Sequence, residues 1–198
     1  MAQPVFNWTG FYVGGNVGGA WGQSSVNEPA AIYGATTFTN NLSGIIGGFQ
    51  AGYNWQAGNL VYGLETDIAF TSAKRDTDIF AGFVFHRSSL TALGTFRGRV
   101  GVAMGPTLLY ATGGAAYAWL KHEFTDNGFP FTASRSSPSW GWTAGGGIEH
   151  AFGNNWSAKI EYLYAHFPNQ TVTDPTSGYT FTFRDSVSVV RTGINFRF

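Results

Sequence analysis

The sequence predicts an all-β fold, an eight-stranded antiparallel up-and-down transmembrane β-barrel, from three observations. Apolar and polar residues alternate with period two along most of the chain, and helical period is nearly absent. Short and long connections take strict turns between the alternating segments. Aromatic residues gather at both ends of those segments and leave a band of Val, Ile, Leu, Ala and Gly between them.

Composition agrees with a chain that does not meet water in the usual way. Of 198 residues, 17% are aromatic and only 11% charged, and 28 are glycine. Ordinary soluble domains carry about 25% charged residues. Formal net charge is zero, so no basic field points to nucleic acid, and none is expected as a partner. The absence of cysteine excludes disulfides, thiolate chemistry and Cys-based zinc sites. No apolar run reaches the ~20 residues of a spanning helix. The opening MAQPVFNWTG lacks the charged and apolar regions of a signal peptide; if the protein is exported, this is a mature chain carrying an added Met1.

The strands follow in order. In TGFYVGGNVGGAWG, the apolar positions Phe11, Val13, Val17 and Trp21 alternate with Tyr12, Gly14, Asn16 and Gly18. IIGGFQAGYNWQ sets Ile45, Phe49, Ala51, Tyr53 and Trp55 against Gln50 and Asn54. LVYGLETDIAF sets Leu60, Tyr62, Leu64, Ile68 and Phe70 against Glu65 and Asp67. In GTFRGRVGVAM, Phe96, Val100, Val102 and Met104 oppose Thr95, Arg97 and Arg99. LLYATGGAAYAWL alternates less cleanly, with Leu109, Ala111, Ala115, Tyr117 and Trp119 on its apolar face. WGWTAGGGIEHAF places Trp140, Trp142, Ala144, Ile148 and Phe152 opposite Thr143 and Glu149. WSAKIEYLYAH places Trp156, Ile160, Tyr162 and Tyr164 opposite Lys159 and Glu161. The closing VSVVRTGINFRF places Val190, Ile194, Phe196 and Phe198 opposite Arg191, Asn195 and Arg197.

Only AGN, GPT and GNN separate strands two and three, four and five, six and seven; each has tight-turn chemistry. The other four connections run to roughly a dozen residues or more, uncommon in compact domains. Barrels of the bacterial outer membrane show this asymmetry, with short periplasmic turns and long external loops. An even strand number puts both termini on the periplasmic side. Residues 1–8 then form a periplasmic N-terminal extension, and residues 9–198 a single barrel.

Glycine settles which face points outward. It shares the polar face with the charges, where it would cover nothing on a water-facing strand. Inside a narrow barrel it leaves room for large neighbours. The apolar face therefore meets lipid, with girdles of Tyr62, Trp55, Phe152 and Trp156 at the turn end and Trp21, Phe70, Trp119, Trp140 and Tyr164 at the loop end.

FNWTGFYVGGNVGGAWG, GYNWQ, RGRVG, YATGGAAY, NWSAKIEYLY and the final GINFRF together resemble the alphaproteobacterial surface-antigen branch of small outer-membrane barrels. That branch is akin to opacity proteins and to the transmembrane domain of outer-membrane protein A. The resemblance implies delivery by the outer-membrane assembly machinery, which reads a C-terminal strand ending in Phe; Phe196 and Phe198 occupy that place. It also implies functions carried by the loops, among them envelope integrity, host or other extracellular contact, and haemin binding in some members.

Three groups of residues are candidates for function. Glu65, Asp67, Arg97, Arg99, Glu149, Lys159, Glu161 and Arg191 face the lumen. Register pairs Glu149 with Lys159 and Glu161 with Arg191, and lets Glu65 and Asp67 meet Arg97 and Arg99. An eight-stranded barrel is filled by its own side chains, so the expectation is a neutralised plug; a narrow pore is the alternative. Lys74, Arg75, Arg87, Lys121 and Arg184 stand near the loop ends, and read either as contacts to lipopolysaccharide phosphates or as ordinary solvated loop charge. His86, His122, Tyr33 and Tyr179 lie in or near loops, with His150 and His166 at the interfaces, but no ligand spacing supports haem. No cofactor and no metal is expected. Nor is catalysis: the runs GGNVGG and TAGGGIEH lack the spacing and helix of a nucleotide loop, and no nucleophile–base constellation is visible.

The segment IFAGFVF, residues 79–85, is apolar for a loop, and reads either as an extension of strands three and four or as an adhesive patch. The expected protein is a structural outer-membrane barrel of surface-antigen type whose loops serve envelope integrity, adhesion or ligand contact. Its partners are outer-membrane lipids and lipopolysaccharide. A soluble lipocalin-like binder, apolar inside and polar outside, is the outsider.

Overall fold

A computed structural model describes residues 6–27, 37–72, 74–80, 84–126, 131–153, 155–173 and 180–198. Side chains are described for residues 6–22, 43–72, 92–119, 139–153, 155–168 and 186–198. The strands are β1 (Gly10–Asn27), β2 (Thr37–Ala57), β3 (Leu60–Thr71), β4 (Lys74–Phe80), β5 (Val84–Met104), β6 (Thr107–Asp126), β7 (Phe131–Phe152), β8 (Trp156–Thr173) and β9 (Thr180–Arg197). Strands consecutive in sequence pair antiparallel, except that β3 and β4 both pair with β5, and β1 pairs with β9, which closes the sheet on itself.

The barrel has eight staves; β3 and β4 are two lengths of the third. The β2 ladder ends where Ile46 meets Thr71, and the Ser72 N–H still donates to the Ile45 carbonyl at 3.1 Å. Beyond that point β4 pairs with β5, from Lys74 opposite Ser89 upward. The 79–85 segment follows this hairpin: Ile79 and Phe80 belong to β4 and Val84 and Phe85 to β5, while residues 81–83 lie outside the described residues.

At one end the connections are tight. Gly58, Gly105 and Gly153 have φ of 61°, 62° and 76°, left-handed values that a residue with a Cβ adopts only under strain. Neighbouring turns are tied together: Ala103 N–H donates to Asn59 O at 2.7 Å, Ala151 to Pro106 at 2.8 Å and Arg197 to Asn155 at 2.7 Å. At the other end the ladders run far past the ~9–11 residues that cross a membrane, to Asn27 opposite Thr37 and to Thr173 opposite Thr180.

Burial alternates as the period-two reading expects, and most cleanly on β3, where every second residue is buried from Val61 to Ala69. Val17, Phe49, Phe96, Val100 and Ile160 are exposed on the outer face, while Asn54, Arg97, Thr143 and Asn195 are buried inside. A soluble lipocalin-like binder needs the reverse. The girdle residues Trp21, Trp55, Tyr62, Phe70, Trp119, Trp140, Phe152 and Trp156 are all exposed, and Tyr164 is half-buried beside Trp142, with ring centroids 5.7 Å apart. Trp55 stacks on Tyr62 at 5.7 Å, and Trp156 meets Phe196 edge-on at 5.0 Å. Phe198 lies against Phe196 and Phe11, and its N–H donates to Phe11 O at 3.0 Å.

Position on the outer face sets the penalty for a charge there. Val100 lies within the lipid-facing band and Met104 at the turn end of the same strand. Val100→Arg is expected to destabilise the barrel by up to about 2–4 kcal/mol and Met104→Arg by about 0–1 kcal/mol. Urea unfolding in lipid vesicles measures both; equal penalties would place the two residues at one depth and reject the orientation.

Candidate functional site: the layered lumen

The inside of the barrel is a stack of three layers. Nearest the tight turns, Trp8, Val61, Ala103, Leu108, Tyr110 and Ala151 form an apolar cluster, with Phe6 against it. Nearest the long ladders, Ala20, Ile46, Ala69, Leu93, Ala116, Ala118, Leu163, Ala165, Phe167, Val187 and Val189 form another. Between them lie Glu65, Asp67, Arg97, Arg99, Glu149, Lys159, Glu161 and Arg191, all buried. Four carboxylates face four cations, so the layer carries no net formal charge.

Arginine supplies most of the connections because its fork of donors serves several carboxylates at once. Arg97 bonds Glu65, Asp67 at 3.0 Å and Glu161 at 3.1 Å, and its Nε donates to Thr95 Oγ1 at 2.9 Å. Arg191 grips both oxygens of Asp67, each at 3.1 Å, and reaches Glu161 at 2.6 Å. Arg99 meets Glu149 at 2.7 Å, lies 3.7 Å from Glu65, and sits over the Tyr110 ring at 4.1 Å. Tyr12 donates to Glu65 at 2.7 Å and Tyr110 to Glu161 at 3.0 Å. Glycine makes room for the first phenol: a Cβ on Gly52 would overlap the Tyr12 hydroxyl.

The structure alters one expected pairing. Glu149 and Lys159 are register partners, but Lys159 Nζ donates to Glu65, at 2.9 and 2.8 Å, and lies 3.9 Å from Glu161. Glu149 is held instead by Arg99, by Ser157 at 2.6 Å and by Asn195 at 2.8 Å. In so narrow a lumen, a long side chain reaches the opposite wall as readily as the next strand. Glu161 with Arg191, and Glu65 and Asp67 with Arg97, do meet along their shared ladders.

The N-terminal segment closes the turn-end mouth. Trp8 is 1% exposed; its backbone N–H donates to Gln56 Oε1 at 2.6 Å and its indole N–H to Gly105 O at 3.3 Å. Arg197 lies over the Phe6 ring at 4.2 Å and the Trp8 ring at 5.6 Å. The sequence reading missed Trp8 and the apolar layers. The one signal for the layers was the run of Ala, Val and Leu at inward positions beyond the charges, such as Ala116, Ala118 and Val189.

Lys74, Arg75, Arg87, Lys121 and Arg184 have described backbones on the upper ladders, and their side chains lie outside the described residues, as do those of His86 and His122. Tyr33 and Tyr179 lie outside the described residues altogether. His150 Nδ1 is 2.9 Å from Thr107 Oγ1, and the His166 ring is 5.8 Å from that of Trp142. Among the described residues no group of three or more His, Cys, Asp or Glu could hold a metal ion.

The profile of the outer membrane protein beta-barrel domain family matches residues 1–197. The 31 kDa outer-membrane immunogenic protein of Brucella melitensis biotype 1 is 33% identical over 210 residues, which cover 100% of this chain and 87% of that protein. The 22 kDa outer membrane protein of Rhizobium leguminosarum bv. viciae is 31% identical, covering 99% of this chain and 81% of that one. Among solved structures, the outer membrane protein OprG from Pseudomonas aeruginosa superposes with a TM-score of 0.60 at 14% identity, over 99% of this chain and 100% of that one. The outer membrane protease OmpT from Escherichia coli gives 0.56 at 9% identity, over 100% and 99%, a likeness of fold alone.

The pairing across the lumen is measurable. Lys159→Ala strands carboxylate charge around Glu65 and is expected to destabilise the barrel by about 3–5 kcal/mol. A double-mutant cycle of Lys159→Met with Glu65→Gln should show a coupling of about 1–3 kcal/mol, larger than the cycle of Lys159→Met with Glu149→Gln. The reverse order in unfolding titrations would mean that register, not reach, selects the partner.

Proposed function

The chain belongs to the outer membrane protein beta-barrel family, and from that premise we propose that it is a sealed, non-catalytic anchor that holds surface loops outside the cell. One observation carries this reading: the balanced charge layer lies between two apolar layers, so water and ions meet hydrocarbon on either approach. Conduction would require moving Trp8 at one mouth and the Phe167 cluster at the other, and then separating ion pairs. The ladders that continue beyond the membrane span lift the loops into the medium, where envelope contact, adhesion or ligand capture takes place. Relatives named as immunogenic outer-membrane proteins support the exposure of that end.

Absence of catalysis rests on how the polar groups are used. Tyr12, Tyr110, Thr95 and Ser157 all donate their hydroxyls to carboxylates of the layer, and the layer is closed to substrate. The likeness to a protease, at 9% identity, is one of fold alone and lends no support to a catalytic reading.

In planar bilayers the wild-type chain should give only small, intermittent conductance. Trp8→Ala, Phe167→Ala and Lys159→Ala combined open both mouths and the charge layer together, and current should become larger and more frequent. A large, steady wild-type conductance, indifferent to these changes, would replace the anchor with a narrow pore. Deleting Phe198, at the place where the family's assembly signal is read, should sharply reduce the barrel delivered to the outer membrane in cells while refolding in detergent changes little. Equal losses in both assays would make that residue purely structural.

A further inference from the structure

The upper ladders sort the loop-end cations by face. Residues opposite one another in an antiparallel ladder lie on the same face of the sheet. Lys74 stands opposite Ser89, Ser89 opposite Lys121, and Lys121 opposite Ser136. Lys121 comes two residues after Trp119 on β6 with the β7 register unbroken between them, so this row lies on the lipid-facing side. It is the first outer-face row beyond the aromatic girdle, the depth at which headgroups lie.

The remaining cations are placed differently. Arg87 stands between Asp76 and Glu123 in the next outer-face row, so carboxylates flank it on both strands. Arg75 belongs to the opposite face, in the row Arg75, Ser88, His122 and Arg135. Arg184 stands opposite Ser25, on the far side of the barrel. Lys74 and Lys121 are two strands apart, about 10 Å between backbones, with a serine between them and no carboxylate in their row.

We propose that Lys74 and Lys121, with Ser89 between them, form a binding row for the phosphates of an outer-leaflet lipid headgroup. Two cations at that spacing can engage two phosphates of one headgroup or converge on one. Asp76 and Glu123, the nearest acids on the same face, stand opposite Arg87, so the two rows together hold three cations and two carboxylates and keep a net positive charge. The proposal is independent of whether the lumen conducts.

The test titrates the full chain, folded in zwitterionic detergent, with bis-phosphorylated lipid A, dephosphorylated lipid A and inorganic phosphate. Lys74→Gln with Lys121→Gln should weaken binding of the bis-phosphorylated lipid about thirtyfold and flatten its salt dependence. Arg184→Gln, on the far side of the barrel, should leave that affinity unchanged, and the mobility of unheated samples on gels verifies that each variant is folded. The proposal is overturned if the double variant binds like the wild type, or if dephosphorylated lipid A binds as tightly. Inorganic phosphate binding as strongly as the phosphorylated lipid would also overturn it, since the row would then be a free-anion site.

Discussion

The β1–β9 ladder is the contact on which everything else depends. It runs from Tyr12 opposite Arg197 to Asn27 opposite Thr182 and leaves neither edge of the sheet unpaired. In hydrocarbon no water can satisfy an open edge, so a sheet that crosses a membrane must close. Closure with eight staves fixes a lumen too narrow to stay empty, and the filling then has to meet its own demands. Each large side chain needs a glycine or alanine nearby, and each charge needs an opposite charge within reach.

The charge layer meets the second demand by sharing rather than by pairing. Glu65 alone receives bonds from Arg97, Lys159 and Tyr12, and Glu161 from Arg97, Arg191 and Tyr110. Such a network resists piecemeal change, because removing one member leaves two or three partners unsatisfied. The apolar layers above and below reinforce it by excluding the water that would otherwise solvate a stranded charge.

Much of this was legible in the sequence because a strand writes its two faces in alternate residues. Phe96, Val100 and Val102 against Arg97 and Arg99 needs no tertiary information to be read. The tight turns were equally plain, since Gly58, Gly105 and Gly153 are the residues that a left-handed φ favours. What alternation cannot express is distance across the lumen. Register made Lys159 the neighbour of Glu149, and only the closed cross-section shows that Glu65 is within its reach. Nor does alternation cover a segment that crosses the barrel mouth instead of joining the wall, and Trp8 was missed for that reason.

That last residue divides the aromatic signal of the protein in an unusual way. Of its seven tryptophans, Trp21, Trp55, Trp119, Trp140, Trp142 and Trp156 are exposed on the outer wall, and Trp8 alone is enclosed. A quencher dissolved in the acyl chains has access to six indoles and is screened from the seventh by the barrel itself. The emission that survives such a quencher belongs to the mouth of the lumen. The chain thus carries its own optical probe of whether that mouth is shut, separate from any probe of how the wall sits in lipid.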